Sequence, residues 1–392
     1  MTEQFDIAIV GAGIMGLALA HELSRRKFGR IVVVDRKHPG AGATSRNIGR
    51  VRTSQFSEDL AIFARSAFEK HERLSAELGS NTLFWRPGYA LVFYDAEEME
   101  HINSICATLK RLNLPPELHR GTAVVDRLPI LRGGRKPVGC LIRPDASVHH
   151  DSLIFGYLRA VRAAGVEIRA HQEVSAILKN GNAVAGISTP GGDISASIVV
   201  NAAGGWSAEV SRLAGIRVPN TPLRREALVT ESAKPFMDTM ISFYRPIEGW
   251  FHQTLRGEVV MGTVPTDEPH GANMKSSAEH LRRTARHILA AAPALGALRV
   301  VRQWAGLYDV TPDRKPMLGP VAQCPGFIQA NGDNGRGIAL IPYIAELLAE
   351  WIATDNRPAP LAAFDANRYH GREDTAVVVG DYYAAYKSAA KG

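Results

Sequence analysis

Residues 5–16, FDIAIVGAGIMG, carry the reading on which the fold turns. FDIAIV is an apolar run broken by one aspartate, the pattern of a strand buried on both faces. Gly11-Ala12-Gly13-Ile14-Met15-Gly16 then matches G-x-G-x-x-G, and LALAHELSRR (17–26) continues with helical periodicity. Gly11 permits a tight turn, Gly13 lets backbone amides approach a pyrophosphate, and Gly16 lets helix and strand pack closely. The helix N-terminus would face the phosphate charge. IVVVD (31–35) is a second buried strand, so the chain opens as strand, helix, strand. Taken alone, the glycines fit any turn of that kind. Asp35, about twenty residues on, adds the carboxylate that receives a ribose hydroxyl. It would repel a 2′-phosphate, which leaves NAD or FAD.

Outward from this unit lie a Gly/Ser/Thr-rich loop (39–49, PGAGATSRNIG) and an amphipathic helix from about Ser57 to Leu78. From Trp85 the texture changes to strands such as GYALVFY, helical stretches and a Pro/Gly-rich segment near 128–145. DSLIFGYLRAVRAAG (151–165) reads as a helix with Asp151 as N-cap. Strand patterns follow in 166–178, 182–192 and 194–204, hairpin-like around Asn180-Gly181 and Gly191-Gly192. Residues 222–265 alternate as strands, 276–292 read as a helix, and 298–310 and 326–330 as strands. The last strand leads through NGDNGRG (331–337) into a helix expected over 341–354. The parts most like a dinucleotide domain therefore fall at the start, the middle and the end. A glycine-rich element from Gly332 to Gly337 opens the last helix, and a helix N-terminus aimed at a flavin's N1–C2=O edge would stabilise the reduced ring. One cofactor gripped by both ends of the chain points to a flavin, although a glycine-rich loop before a terminal helix needs no ligand.

Composition sets the outer limits. The 392 residues are 45% hydrophobic and 22% charged, enough apolar material for a sizeable core and against intrinsic disorder. The length predicts two or three domains. The most apolar stretch, Ala339 to Ala353, is broken by Pro342, Glu346 and Glu350, so no membrane span is expected. The opening MTEQFDIAIVGAG lacks a basic export signal, which predicts a cytoplasmic location. The net charge of +7 is scattered in short groups such as RRKFGR and RGGRK rather than clustered. That reads as solvated faces, not a nucleic-acid surface, and an anionic small molecule fits it equally well. Cys106, Cys140 and Cys324 are far apart, so they read as reduced and buried and cannot alone hold a zinc ion or an iron–sulfur cluster.

GAGIMG, GATSRNIGRVR (42–52), NAAGGWS (201–207), RQWAGLYDVTPDRKPMLGP (302–320) and GDNGRGIALIP (332–342) together resemble the D-amino-acid-oxidase-like FAD oxidoreductases, from about residue 5 to 370. PLRREALVTES (222–232) and GWFHQTLRGEVVMGT (249–263) occupy matching places in the substrate domain. Within that family the motifs are most similar to the β subunit of heteromeric sarcosine oxidase, with the catalytic subunits of opine oxidase and proline or hydroxyproline dehydrogenase in the same circle. The resemblance implies an α/β and α+β chain: a Rossmann-like FAD domain of glutathione-reductase-like topology with an inserted antiparallel-sheet substrate domain. The FAD domain would comprise 1–84, 146–220 and 300–375, the substrate domain 85–145 and 221–299, and a tail 376–392.

Carried over by position, Gly11, Gly13, Ile14, Met15 and Gly16 would hold the FAD pyrophosphate, and Asp35 and Arg36 its adenosine end. Thr44, Ser45, Arg46 and Asn47 would line the flavin loop. Val174 would lie by the adenine, with Ala203, Gly204 and Trp206 near the ribityl-diphosphate. Gly306, Gly332, Asn334, Gly335, Arg336, Gly337 and Ile338 would approach the isoalloxazine. Arg52 matches the arginine that pairs with a substrate carboxylate. Sarcosine-oxidising members add a lysine where this chain has Ala339, which argues for a larger substrate such as an N-carboxyalkyl amino acid, with Arg336 as the replacement cation. His149 or His150 matches the histidine that holds an FMN between subunits, while a plain helix start explains the same residues without one. Tyr244 and His252, with Trp250 and Tyr308, would roof the pocket or pack in the core.

The implied activity is oxidation of the C–N bond of an amino acid or N-substituted amino acid (opine, sarcosine or proline-like) to an imine that hydrolyses to amine and oxo acid. The chain would act as the catalytic β-type subunit of a heteromeric oxidoreductase, with iron–sulfur ligands on another polypeptide. The alternatives are a single-chain FAD-dependent 2-hydroxy-acid or amino-acid oxidase or dehydrogenase, with His252 as base, and a flavin-bearing subunit without turnover.

Overall fold

The structure, a computed structural model, describes residues 3–55 and 57–377. The expected tail lies outside the described residues from 378 onward. The chain opens with β1 (Glu3–Val10), α1 (Ile14–Arg25) and β2 (Ile31–Val34), then β3 (Arg50–Val51) and α2 (Glu58–Glu77). Next come β4 (Tyr89–Phe93), α3 (Ala96–Arg111), β5 (Glu117–Arg120), α4 (Thr122–Arg127), β6 (Gly139–Arg143) and β7 (Ala146–Ser147). The middle holds α5 (His150–Ala163), β8 (Glu167–Arg169), β9 (Ala176–Asn180), β10 (Ala183–Thr189), β11 (Gly192–Asn201) and α6 (Ser207–Leu213). A second run of strands follows: β12 (Thr221–Ser232), β13 (Met240–Phe243), β14 (Glu248–Gln253) and β15 (Glu258–Val264). The last part is α7 (Ala278–Ala291), β16 (Val300–Val310), β17 (Met317–Pro320), β18 (Phe327–Asn331) and α8 (Gly337–Thr354).

Two large sheets result. The first runs β17-β18-β11-β1-β2-β8, with the β9–β10 hairpin attached to β11. Its central pairings, β11–β1, β1–β2, β2–β8 and β11–β18, are parallel. Both faces of β1 are covered, with Ile7 and Ile9 in one apolar cluster and Ala8 in another, which is why its sequence is a continuous apolar run. The helices α1, α2, α5 and α8 pack over one face. The second sheet runs β16-β12-β15-β14-β13-β4-β6-β5, and α7 packs on β14 and β15. A two-stranded ladder, β3–β7, sits where the chain passes between the sheets.

Four local expectations need correction. The second sheet is mixed, because β4 and β13 pair in parallel. The strand of 300–310, grouped with the FAD-binding parts by sequence, hydrogen-bonds along β12 in the second sheet. Alternation announces a strand but not its partner. Asp151 is not the N-cap of α5: His149 holds that position, and Asp151 sits in the first turn where its charge suits the helix dipole. Finally, α8 begins at Gly337, four residues before the expected start. Pro342 imitates a first-turn proline but lies inside the helix. A proline there leaves the Ile338 carbonyl without its helical donor. The imidazole of His71 replaces it, with Nε2 3.0 Å from Ile338 O and 3.2 Å from Ala339 O.

By length and composition α8 would pass for a membrane-crossing helix. Here it packs against α1 and α2 as a core helix, with Ile344, Ala345, Leu348 and Ala349 fully buried. A buried ammonium fixes the three together. Lys70 of α2, 1% exposed, lies 3.0 Å from Glu22 of α1, 2.5 Å from Glu77 and 2.7 Å from Glu346 of α8.

Candidate functional site

A cavity of about 750 Å³ runs between the two sheets, a size typical of ligand pockets. One end is built by the first βαβ unit. Gly11 has φ +112°, a conformation that favours glycine, and a Cβ there would collide with the Ala202 carbonyl. A Cβ on Gly16 would collide with the carbonyl of Gly11, so helix and strand approach as closely as the motif requires. Gly13 is different: its backbone is unstrained, and an added Cβ would meet only Thr44 Oγ1 at 3.2 Å. Asp35 accepts the Ala12 amide at 2.8 Å through Oδ2 and the Lys37 amide at 2.8 Å through Oδ1, so it also holds the glycine turn in shape. Arg36 lies over the Trp206 ring at 4.0 Å. Glycines without side chains, the N-terminus of α1 and a carboxylate beside them form a cradle that fits a dinucleotide pyrophosphate and ribose.

Of the residues expected at the cofactor, Gly11, Gly13, Ile14, Met15, Asp35, Arg36, Thr44, Arg46, Asn47, Val174, Ala203, Gly204, Trp206, Gly306, Gly335, Gly337 and Ile338 line this cavity. Gly16, Ser45, Gly332, Asn334 and Arg336 do not. Gly332 and Asn334 instead shape the turn before α8: both donate backbone N–H groups to Asp309, the first to Oδ2 at 2.6 Å and the second to the carbonyl at 3.0 Å. Arg336 donates to the Arg314 carbonyl at 2.8 Å and is 8% exposed, so its charge is spent inside the loop.

Sequence reasoning missed two features of the wall. Arg225 of β12 faces Gly306 across the strand pair, lies over the Tyr308 ring at 5.3 Å and lines the cavity. Asp309 and Asp333 line it as well. Burial pushes the Asp309 carboxyl up to about 6 despite donors from Asn220, Gly332 and Ser207. Burial, with Asp309 adding repulsion, pushes Asp333 up to about 7. The pair takes up protons well above the ordinary carboxylate range near 4. Its contribution to stability is complete below about pH 4 and is lost as pH rises through about 7. Asp333→Asn should therefore raise the melting temperature of the cofactor-free protein at pH 8, by roughly 1–3 kcal/mol in stability, and flatten its fall between pH 5 and 8. Equal melting curves for variant and wild type at pH 8 would show that no charge is buried there.

Arg52, the expected carboxylate anchor, lies at the junction with the second sheet. Its Nη1 donates to the Tyr89 hydroxyl at 2.8 Å, and its guanidinium lies 5.0 Å from the Tyr89 ring centre. It borders a small cleft with Ser54, Gln55 and Leu91 rather than the large cavity. Tyr244 is buried with Tyr89 in the cluster under α3. Although burial opposes its charge, Tyr89, Tyr244 and Glu248 raise the proton affinity of Arg52. His252 is buried on β14, with Nδ1 3.4 Å from Arg50 Nη2. Burial and that guanidinium hold its pKa well below the usual value, so its imidazole is neutral.

His149 and His150 stand apart from the cavity. Their rings stack at 4.9 Å, and His150 Nε2 lies 3.5 Å from Asp151. Burial first, then His149, Arg256 and Arg302, oppose protonation of His150 while Asp151 favours it, so Arg256 of the β14–β15 turn and Arg302 of β16 share its neighbourhood. All three cysteines are buried and unbridged, and among the described residues no His/Cys/Asp/Glu group could hold a metal.

Residues 6–351 match the family described as FAD dependent oxidoreductase. The sarcosine oxidase β subunit of Rhodobacter capsulatus is 28% identical, covering 94% of this chain and 89% of its own. The hydrogen cyanide synthase subunit HcnC of Pseudomonas aeruginosa is also 28% identical, over 97% of this chain and 99% of its own. Among solved structures, the L-proline dehydrogenase of P. horikoshii matches with a TM-score of 0.88 at 25% identity, over 95% of this chain and 99% of its own. Glycine oxidase from Geobacillus kaustophilus shares the fold, with a TM-score of 0.85 at 22% identity over 94% and 99%. The glycine cradle, the cavity between the sheets and the family match agree: the chain belongs to the D-amino-acid-oxidase-like FAD-dependent oxidoreductases, and FAD is its cofactor.

Proposed function

We propose that this protein oxidises the C–N bond of an amino acid or N-substituted amino acid, giving an imine that hydrolyses to an amine and an oxo acid. The observation that carries the reading is Arg52, an enclosed guanidinium whose hydrogen bond goes to the Tyr89 hydroxyl rather than to a carboxylate. Such a group is suited to a substrate carboxylate, which it grips with two parallel hydrogen bonds. Bound FAD supplies the hydride acceptor. The chain's own residues do the rest. Arg52 orients the substrate, Tyr89 holds Arg52, and the N-terminus of α8 presents its positive end to the cavity. No strong side-chain base is required, because the redox step belongs to the cofactor and the protein supplies orientation and electrostatics. That suits His252, which burial makes a weak base, and it counts against a 2-hydroxy-acid oxidase that would need it as one.

We further propose that the chain works as a catalytic subunit. Two relatives are named as subunits, of sarcosine oxidase and of hydrogen cyanide synthase. The stacked His149–His150 pair, with Arg256 and Arg302 near, offers an imidazole and two cations that suit an FMN phosphate at a subunit boundary. An onward iron–sulfur relay would need ligands from another polypeptide. The test is anaerobic addition of amino acids, N-alkyl amino acids, opines and 2-hydroxy acids to the yellow protein while following flavin absorbance. Bleaching by the amines supports the reading, and bleaching by hydroxy acids alone, or by nothing, overturns it. Native purification with flavin analysis tests the complex: one protein species holding FAD alone and producing peroxide quickly would defeat it.

A further inference from the structure

We propose that Arg50 is the second cation of the substrate site, and that with Arg52 it selects an amine carrying two carboxylates. The proposal rests on the reading of Arg52 as the carboxylate anchor. In a strand, residues two apart face the same side, and here they close on a common ring. Arg50 in β3 and Arg52 just beyond it place their guanidinium groups 5.7 and 5.0 Å from the Tyr89 centroid. Arg50 also lies 5.3 Å from the Trp250 ring.

The hydrogen bonds of Arg50 leave one donor, Nε, unused. Nη1 donates to Ser242 Oγ at 2.8 Å, and Nη2 reaches the carbonyls of Ile241 and Phe251 at 3.2 Å each. Its Nε–H is buried without a partner. The acceptors of the two arginines include Ser242, the Ile241 and Phe251 carbonyls and the Tyr89 hydroxyl, none of them a carboxylate, while the charge of Glu248 acts on both. Both keep some accessible surface, and Arg52 borders the small cleft with Ser54, Gln55 and Leu91.

Two guanidinium groups enclosed side by side repel each other, Glu248 offsets that repulsion only in part, and a bound anion relieves it further. Burial first, and then the neighbouring charge of Arg52, pull the proton affinity of Arg50 down to about 10, although Tyr89, Tyr308 and Glu248 oppose the shift. The other candidates for a second cation are accounted for elsewhere. Arg336 is turned to the Arg314 carbonyl, and Arg225 lies over the Tyr308 ring in the large cavity. A substrate with one carboxylate satisfies one arginine. An N-(carboxyalkyl) amino acid satisfies both, with the reacting amine between its two carboxylates.

The test compares kcat/KM of the FAD-loaded enzyme on such a dicarboxylic amine and on the monocarboxylic N-methylglycine and proline. Arg50→Met should lower the dicarboxylate-to-monocarboxylate ratio roughly 10- to 100-fold, the loss expected for one charged hydrogen-bonded contact. Arg50→Lys should restore part of that ratio, and FAD content should hold in both variants. Because Arg50 also ties β13 to β14, a measurement on the wild type guards against misfolded variants: succinate should perturb the flavin spectrum at concentrations at least about tenfold lower than propionate. An unchanged ratio in Arg50→Met, or equal affinity of the wild type for the two anions, overturns the proposal. Arg52→Ala separates the layers. If it leaves KM unchanged for every amine, the anchor reading itself fails; if it weakens all of them while Arg50→Met shifts no ratio, only the role of Arg50 is lost.

Discussion

Gly13→Val should yield a folded protein without colour. The three glycines of the motif differ in what a side chain would meet. At Gly11 and Gly16 it would run into backbone carbonyls, and at Gly11 the positive φ adds strain, so substitution there would damage the fold itself. At Gly13, φ is −74° and a Cβ would meet only Thr44 Oγ1, at 3.2 Å, so the backbone is unstrained and a shift of the Thr44 side chain by a few tenths of an ångström makes room. Its isopropyl group would then occupy the cavity wall at the N-terminus of α1, where the pyrophosphate must approach the amides. FAD retention should fall by roughly 100-fold or more, since losing that contact forfeits several charge-assisted hydrogen bonds. Circular dichroism and the melting curve of the cofactor-free protein should match wild type. A variant that purifies fully yellow would remove the pyrophosphate from Gly11–Gly16.

What could be seen in the sequence was what is local. Strand, glycine turn, helix and Asp35 lie within one unit, and each residue type there has a short-range reason: buried strand, positive φ, close packing, and a carboxylate that accepts the Ala12 and Lys37 amides. The hairpins at Asn180-Gly181 and Gly191-Gly192 were legible for the same reason, and both join paired strands. Pairings of distant strands were not legible. Nothing in 300–310 says that it lies along β12, yet that pairing puts Gly306 opposite Arg225 and builds the cavity wall. The same limit hid Asp309 and Asp333. Each looks like an ordinary loop or strand-end aspartate until the Gly332 and Asn334 amides fold back on Asp309 and bury both carboxyls. Arg336 shows the reverse error. Its place in a glycine-rich loop suggested a ligand contact, but a guanidinium also reaches backbone carbonyls, and Arg314 supplied one nearer. The start of α8 was misplaced because a proline inside a helix is tolerated only if another donor meets the orphaned carbonyl. That donor, His71, comes from a helix far away in sequence.

Arg52→Ala should cost roughly 100- to 1,000-fold in kcat/KM while FAD content holds. The guanidinium offers two parallel N–H groups to a carboxylate, and losing a charged, desolvated pair of that kind is worth about 3–4 kcal/mol. Arg52→Lys keeps the cation but not the planar fork, and an ammonium cannot bond Tyr89 and both carboxylate oxygens in the same geometry, so an intermediate loss of roughly tenfold is expected. The division between KM and kcat identifies the role. A residue that only holds the carboxylate changes KM, whereas one that also fixes the α C–H relative to the cofactor lowers kcat as well. Because Nη1 of Arg52 is bonded to Tyr89 on one side, the guanidinium is held still, and both constants should move. Tyr89→Phe supplies the control: it keeps the charge and frees the guanidinium, so kcat should fall several-fold with a smaller effect on KM. If Arg52→Ala turns substrate over at wild-type efficiency, the carboxylate is held elsewhere. The structure then points to Arg225, which lines the cavity, and not to Arg336, whose guanidinium is bonded within its own loop.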